Sequence, residues 1–162
     1  MHGSLSLTVR LDIYTDGSFA PASQRGGWAF VAVAGNETIA TASGHFDGGT
    51  NNTLELFAVL KAAEWANANA LDHIVTIWSD SHHVVEGCNR WRPIWKNSGW
   101  RRYSANPKTR KRPLPDASLW QRLDAELAKN AMLNVAWCKG HQGNDGNERA
   151  DALAGVAKDL ER

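Results

Sequence analysis

The chain has 162 residues, 43% hydrophobic and 22% charged, with 18 Lys and Arg against 17 Asp and Glu. That length suits one domain burying about two thirds of its unfolded surface, and no apolar run approaches the roughly 18 residues of a membrane span. Cys88 and Cys138 form no CxxC or Cys/His spacing, which excludes a disulfide scaffold or zinc ribbon and makes both reduced thiols of a cytoplasmic protein.

Residues 1–4, "MHGS", read as an expression leftover, 1–162 as a single domain, and the monomer as the default for this size. Residues 5–15 predict the first strand. Leu7, Val9, Leu11 and Ile13 share one face while Tyr14 and Asp16 fall on the other. Gly17-Ser18 predicts a turn, so the strand ends on a carboxylate. "GGWAFVAVAG" and "ETIATASGHF" add two strands joined at Gly35-Asn36. "NTLELFAVLKAAEWANAN" predicts a helix with Glu55 in its first turn, about 180° around the axis from Glu64 and flanked by Val59, Ala62 and Ala66. "HIVTIWSD" is apolar on both parities, as a central strand covered on both faces would be, and ends in Asp80. A helix near 81–88 precedes a basic, Trp-rich handle at about 90–113. Asp116 predicts the N-cap of a helix to about 130. "LNVAWCK" is the last strand and "GHQGNDG" a glycine-rich loop carrying His141. "NERADALAGVAKDL" is the final helix, with Asp151 beside the stripe Ala150, Leu153, Ala157 and Leu160. Strands first and strand–helix alternation afterwards imply an α/β domain with a mixed sheet.

Charge is segregated along the chain. From Arg90 to Arg112 there are nine basic residues and no acid, leaving nine basic residues against 17 acids elsewhere. A basic lobe on an acidic body suits a lobe that meets a polyanion and a body that holds cations.

Taken singly, each acid has an ordinary reading. Glu55 suits a helix dipole, Asp80 a helix cap, and Asp151 a solvated helix face; His141 alone is a surface loop histidine. Together they are two strand-end acids, a helix-start acid and an acid beside a glycine-rich loop. Four carboxylates cannot converge as bare anions, but they can converge around divalent cations, and hard oxygen ligands select Mg²⁺ or Mn²⁺. Neither GxxxxGK[ST] nor G-x-S-x-G occurs, so a P-loop and a nucleophile elbow are excluded.

At this point the chain resembles a type I ribonuclease H. "YTDGS" with Asp16, "TNNTLEL" with Glu55, "SDS" with Asp80, "KGHQG" with His141 and "NERADALA" with Asp151 stand in that family's order. "WRPIWKNSGW", a basic loop and "LWQRL" resemble the handle of members with a basic protrusion. The resemblance implies the ribonuclease H-like fold, a five-stranded mixed sheet flanked by helices with a Trp-rich basic handle. It implies metal-dependent endonucleolytic hydrolysis of the RNA strand of RNA–DNA hybrids, giving 5′-phosphate and 3′-hydroxyl ends. Asp16, Glu55, Asp80 and Asp151 would hold two Mg²⁺ ions, with Mn²⁺ as a substitute, and His141 would assist proton transfer or product release. Glu148 tunes metal exchange in this reading, or is simply a helix-start acid. Gly17, Ser18, Thr50, Asn51 and Asn52 would meet the hybrid near the cut. Trp91, Lys96, Trp100, Arg101 and Arg102 would meet it from the handle, although Trp91 and Trp95, at i,i+4 spacing, also suit the handle's own core.

The chain departs from the family pattern at Ala22, Thr53, His82 and Asp116, where an asparagine, arginine, glutamine and asparagine are common. None touches the four carboxylates, so activity with altered affinity is expected. The competing readings are a hybrid-binding module without catalysis and a DNA-cutting nuclease of the same superfamily. A small-molecule phosphatase would leave the basic stretch unexplained.

Overall fold

Strand β1 (Val9–Ala20) organises the molecule, because it pairs on both sides. The computed structural model describes residues 9–102, 106, 108, 112–140 and 144–160. β1 is antiparallel to β2 (Arg25–Ala34), which is antiparallel to β3 (Glu37–His45); on its other side β1 is parallel to β4 (His73–Ser79), and β4 to β5 (Leu133–Trp137). The order β3-β2-β1-β4-β5 is a five-stranded mixed sheet, as expected. The opening "MHGS" lies outside the described residues.

The first strand runs further than expected. Asp16, Gly17 and Ser18 stay in the β1–β2 ladder opposite Ala29, Trp28 and Gly27, and the chain turns only at 21–24. What stops at this level is the parallel ladder, whose last pair is Tyr14 with Trp78. Asp16 therefore sits where the β4 side of the sheet opens.

Helix α1 (Asn51–Asn69) packs on one face of the sheet and α5 (Asp145–Asp159) on the other. Consecutive glycines show the two approaches: a carbon added at Gly26 would strike Leu54 of α1, and one at Gly27 would strike the backbone of α5 at Ala154 and Lys158. Helix α4 (Ala117–Ala128) lies against α1. The core between sheet and helices joins Leu11, Ile13, Val75 and Ile77 to Leu56, Val59 and Leu60, all fully buried. Two expectations need correction here. β4 is central but covered on one face only, because α5 lies over β1, β2 and β3; Ile74 is 41% exposed. The buried stripe of α5 is Asn147, Ala150, Ala154 and Ala157, while Leu160 is exposed.

After β4 the chain forms α2 (His82–Glu86), a π-helical turn at Gly87–Trp91 and α3 (Arg92–Asn97). Pro93 has no N–H to donate and its ring crowds the carbonyl four residues back, and the helix widens there, with Arg92 N–H bonded to Gly87 O. Trp91 stacks on Trp95 at 6.3 Å and Trp95 meets Trp120 edge-on at 5.0 Å, so these rings extend the main core instead of making a separate one. The base of the handle closes where Arg101 bridges Pro113 and Arg102 N–H bonds to Arg112 O at 3.1 Å.

An ion triad pins the handle to the body. Arg92 Nη1 lies 2.6 Å from Asp124 Oδ1 and Lys96 Nζ lies 3.0 Å from Oδ2, with Asp124 buried. Burial pushes the Asp124 carboxyl up, but Arg92 and Lys96 outweigh it and hold it below the usual range. A depressed carboxyl stabilises the fold above its unfolded value of about 4 and loses that contribution as pH falls through its folded value. Asp124→Asn should therefore cost about 1–3 kcal/mol at pH 7. Denaturant titrations at successive pH values should show the gap between variant and parent closing below about pH 4.

Candidate active site

Three local devices help assemble the acids. Past the end of the β1–β4 ladder, buried Thr15 donates its hydroxyl to Trp78 O at 2.8 Å, which keeps the two strands together where their pairing stops. Gly17 presents no side chain to α1; an added carbon would lie 2.5 Å from Leu54 C and 2.6 Å from Glu55 N. The first turn of α1 thus rests directly on β1. Thr50 caps that turn: its Oγ1 accepts from Thr53 N–H at 3.3 Å, and Thr53 Oγ1 accepts from Thr50 N–H at 3.0 Å.

Four acids from both layers converge as a result. Asp16 comes from β1, Glu55 from α1, Asp80 from the end of β4 and Asp151 from α5, and they line one cleft of about 300 Å³ with Gly17, Asn51 and Ser81. One oxygen each from Asp16, Glu55 and Asp80 lie within 4.8 Å of one another. Asp151 stands within hydrogen-bond reach of the Asp16 carboxyl. Gly17 N–H donates to both Asp16 Oδ1, at 3.0 Å, and Glu55 Oε1, at 3.2 Å. Glu55 Oε2 is buried and has no hydrogen-bond partner among the described residues.

The electrostatic consequence is large. Burial pushes Asp16 far above the carboxylate range, and Glu55, Asp151 and Asp80 push it further. Glu55 is also raised, by burial and then by Asp80; the bonds from Asp16 and Gly17 oppose this without reversing it. Carboxyls in this state are short of positive charge. Cys138, beside them, is raised to about 11 by burial and by Asp80, Asp16 and Glu55, so it stays a neutral thiol. Both cysteines are free and buried.

The remaining expected residues divide. Asn51 lines the cleft, while Asn52 is exposed in the same turn. Thr50 spends its hydroxyl on the helix cap, and Ser18 pairs with Gly27 in the ladder and does not line the cleft. Glu148 is exposed in the first turn of α5. Trp91 and Trp100 are half-buried against the core, and Lys96 is engaged by Asp124. Arg101 and Arg102 are exposed at the handle's base. His141, and Tyr103, Arg110 and Lys111 of the handle, lie outside the described residues.

Asp116 does not cap α4 with its side chain. Its backbone is left-handed (φ 59°), and its carboxylate lies 3.0 and 3.1 Å from Thr53 Oγ1 instead. Gly140, which the sequence offers only as one glycine of the His141 loop, packs on the site: an added carbon would lie 2.6 Å from Asp80 Oδ2. Its place in "KGH" was visible; the contact, made across 60 residues of chain, was not.

The profile of the RNase H family matches residues 9–158. The ribonuclease H of Cupriavidus necator is 39% identical over 142 residues, 88% of this chain and 90% of its own length. That of Polaromonas naphthalenivorans is 38% identical over 162 residues, 98% of this chain and 94% of its own. Among solved structures, the PFV RNase H domain in solution is 26% identical with a TM-score of 0.77, covering 94% of this chain and 96% of that one. A foamy viral protease–reverse transcriptase in complex with RNA/DNA hybrid shares the fold at 24% identity and a TM-score of 0.78, over 93% of this chain and 20% of that one. A profile match that takes in all four cleft acids, together with relatives of this identity over nearly their whole length, makes the chain a member of the ribonuclease H family.

Proposed function

We propose that this protein is an endonuclease that hydrolyses the RNA strand of RNA–DNA hybrids with the help of divalent cations, leaving 5′-phosphate and 3′-hydroxyl ends. The observation that carries the reading is the acid cleft itself: Asp16 and Glu55 are buried, crowded by Asp80 and Asp151, and shifted far from their ordinary ionisation.

The donor set fits hard cations. Every candidate ligand is a carboxylate, Cys138 is held as a neutral thiol, and the orphaned Glu55 Oε2 has the partner it lacks if a cation binds. Asp16, Glu55, Asp80 and Asp151 would hold the ions, two Mg²⁺ in the fullest form of the proposal. Divalent cations supply positive charge that offsets charge building on the scissile phosphate and makes water a usable nucleophile near neutral pH.

The chain's own groups do the rest. Gly17 N–H holds Asp16 and Glu55 in one orientation, so no reorganisation is needed when substrate arrives. Asn51, on the cleft wall, and Asn52 have the donors and acceptors needed to recognise a ribose 2′-hydroxyl, the group that distinguishes RNA from DNA. His141 moves a proton near neutral pH, and Glu148 assists exchange of ions. Arg101 and Arg102 meet phosphates, Trp91 and Trp100 give the duplex an apolar ledge, and Lys96 acts mainly by anchoring the handle through Asp124. Gly17, Ser18 and Thr50 shape the backbone on the cut side. The proposal takes 1–162 as one catalytic domain working as a monomer in the cytoplasm. Among the described residues no helix is long and apolar enough to cross a membrane.

Labelled RNA–DNA hybrid, duplex DNA and duplex RNA, each incubated with Mg²⁺ and with EDTA, test the reading. Only the RNA strand of the hybrid should be cut, EDTA should abolish cutting, and Asp16→Asn should lower kcat by more than about a thousandfold. Cutting of duplex DNA, or hybrid binding without cutting, would replace this reading with one of its competitors. Hybrid affinity should fall about tenfold or more between roughly 50 and 200 mM salt, with little sequence preference; a flat salt profile would remove the handle from the account.

Without metal, the raised carboxyls favour the fold at low pH, and that contribution is lost as pH rises above about 4 toward their folded values. Asp16→Asn should accordingly stabilise the EDTA-treated protein by about 2–3 kcal/mol at pH 8 and flatten its decline with pH, as thermal melts would record.

A further inference from the structure

We infer that Trp137, held against the His82 ring and hydrogen-bonded to the Asp80 main-chain carbonyl, is a positioning residue for the Asp80 carboxylate. The inference rests on the metal-site reading above and concerns residues which that reading leaves without a role.

Asp80 lies in the turn between two elements. It follows the last residue of β4, Ser79, and precedes Ser81, the cap of α2. β5 supplies a hold from the side. Ser79 pairs with Trp137, and Cys138 N–H donates to Ser79 O at 2.9 Å, which ends the parallel ladder one residue short of Asp80. The next bond is made by a side chain: Trp137 Nε1–H donates to Asp80 O at 3.3 Å. An indole left 40% exposed could swing away from so open a position, but His82 stacks on it, with ring centroids 4.4 Å apart and planes 19° from parallel. His82 is the first residue of α2, so strand end, turn and helix start are clasped by one pair of rings.

A second contact makes the clasp consequential. Gly140, three residues after Trp137, comes so close that an added carbon would lie 2.6 Å from Asp80 Oδ2. The carboxylate therefore has backbone on one side and the cleft on the other. Movement of the β5 end relative to the Asp80 turn would carry the carboxylate with it, and a displacement of about 1 Å at a reacting centre costs on the order of a hundredfold in rate. Trp137 itself does not line the cleft, so it acts through Asp80.

The test separates positioning from folding. Mg²⁺ binding to the hybrid-free protein is measured by calorimetry, and kcat and KM on hybrid are measured at fixed Mg²⁺. Trp137→Phe keeps a ring and removes the N–H; it should weaken Mg²⁺ binding or kcat by about tenfold while leaving KM for hybrid unchanged. His82→Ala should act in the same direction by about two- to tenfold, and His82→Phe, which restores a stacking ring, should match the parent. The inference is overturned if Trp137→Phe and His82→Ala leave both Mg²⁺ affinity and kcat within about twofold of the parent, or if only KM rises. Should Trp137→Phe not fold, the comparison of His82→Ala with His82→Phe decides alone. Should the parent not cut hybrid at all, the hydrolytic reading fails while calorimetry still decides the role of Trp137.

Discussion

Carboxylates brought within a few ångströms of one another and taken out of water repel each other and lose hydration at once, and the rest of the fold works against that penalty. The means are the backbone and the apolar core. The continuous β1–β2 ladder holds Asp16 rigidly, and the bare Cα of Gly17 lets α1 bring Glu55 to the same point from the opposite face of the sheet. Behind them, Leu11, Ile13, Val75 and Ile77 lock the strands to Leu56, Val59 and Leu60 of α1. Burying one such side chain contributes about 1.5–3 kcal/mol, so a handful of them outweighs the cost of the acid cluster. Stability made in the core is thereby held as electrostatic tension at the cleft, which a bound cation would relieve.

The basic lobe is built to a different rule. Its aromatic rings join the main core through Trp95 and Trp120, and its helical stem is widened by the π-helical turn at Gly87–Trp91, just before Pro93. The Asp124 triad then removes Arg92 and Lys96 from the pool of cations free to meet a polyanion and uses them to fix the lobe's direction. Arg101 and Arg102, exposed beyond them, keep their charge for solution. Counting basic residues overstates what such a lobe offers a partner, because a cation paired with a buried acid contributes to position more than to attraction.

Two departures from the family pattern turn out to be one. Thr53 and Asp116 are 63 residues apart, yet the threonine hydroxyl and the carboxylate are in hydrogen-bond contact. Thr53 also accepts from Thr50 N–H within the capping box, so its hydroxyl relays the start of α1 to the start of α4. The negative charge of Asp116 is committed to joining two helices. Asp116 adopts a left-handed backbone to reach it, a conformation that Asp tolerates better than most residues.

How much was legible in the sequence follows from the range of each interaction. Alternation of Leu11 and Ile13 against Tyr14 and Asp16, the helical run after Thr50 and the Gly35-Asn36 turn are local, and local periodicity was enough to name every strand and the long helices. The four acids and the basic stretch could be named because residue type and motif order carry chemistry directly. The level at which β4 stops beside β1 was not local, and neither was the cover left off β4, the engagement of Lys96 or the meeting of Thr53 with Asp116. Each depends on which distant backbone lies alongside, and no periodicity encodes that. Sequence by itself determined which groups the protein brings to its chemistry; the tertiary structure alone decided which of them stand within reach of one another, because ion pairing, burial and repulsion are set by distances between chain segments that only packing brings together.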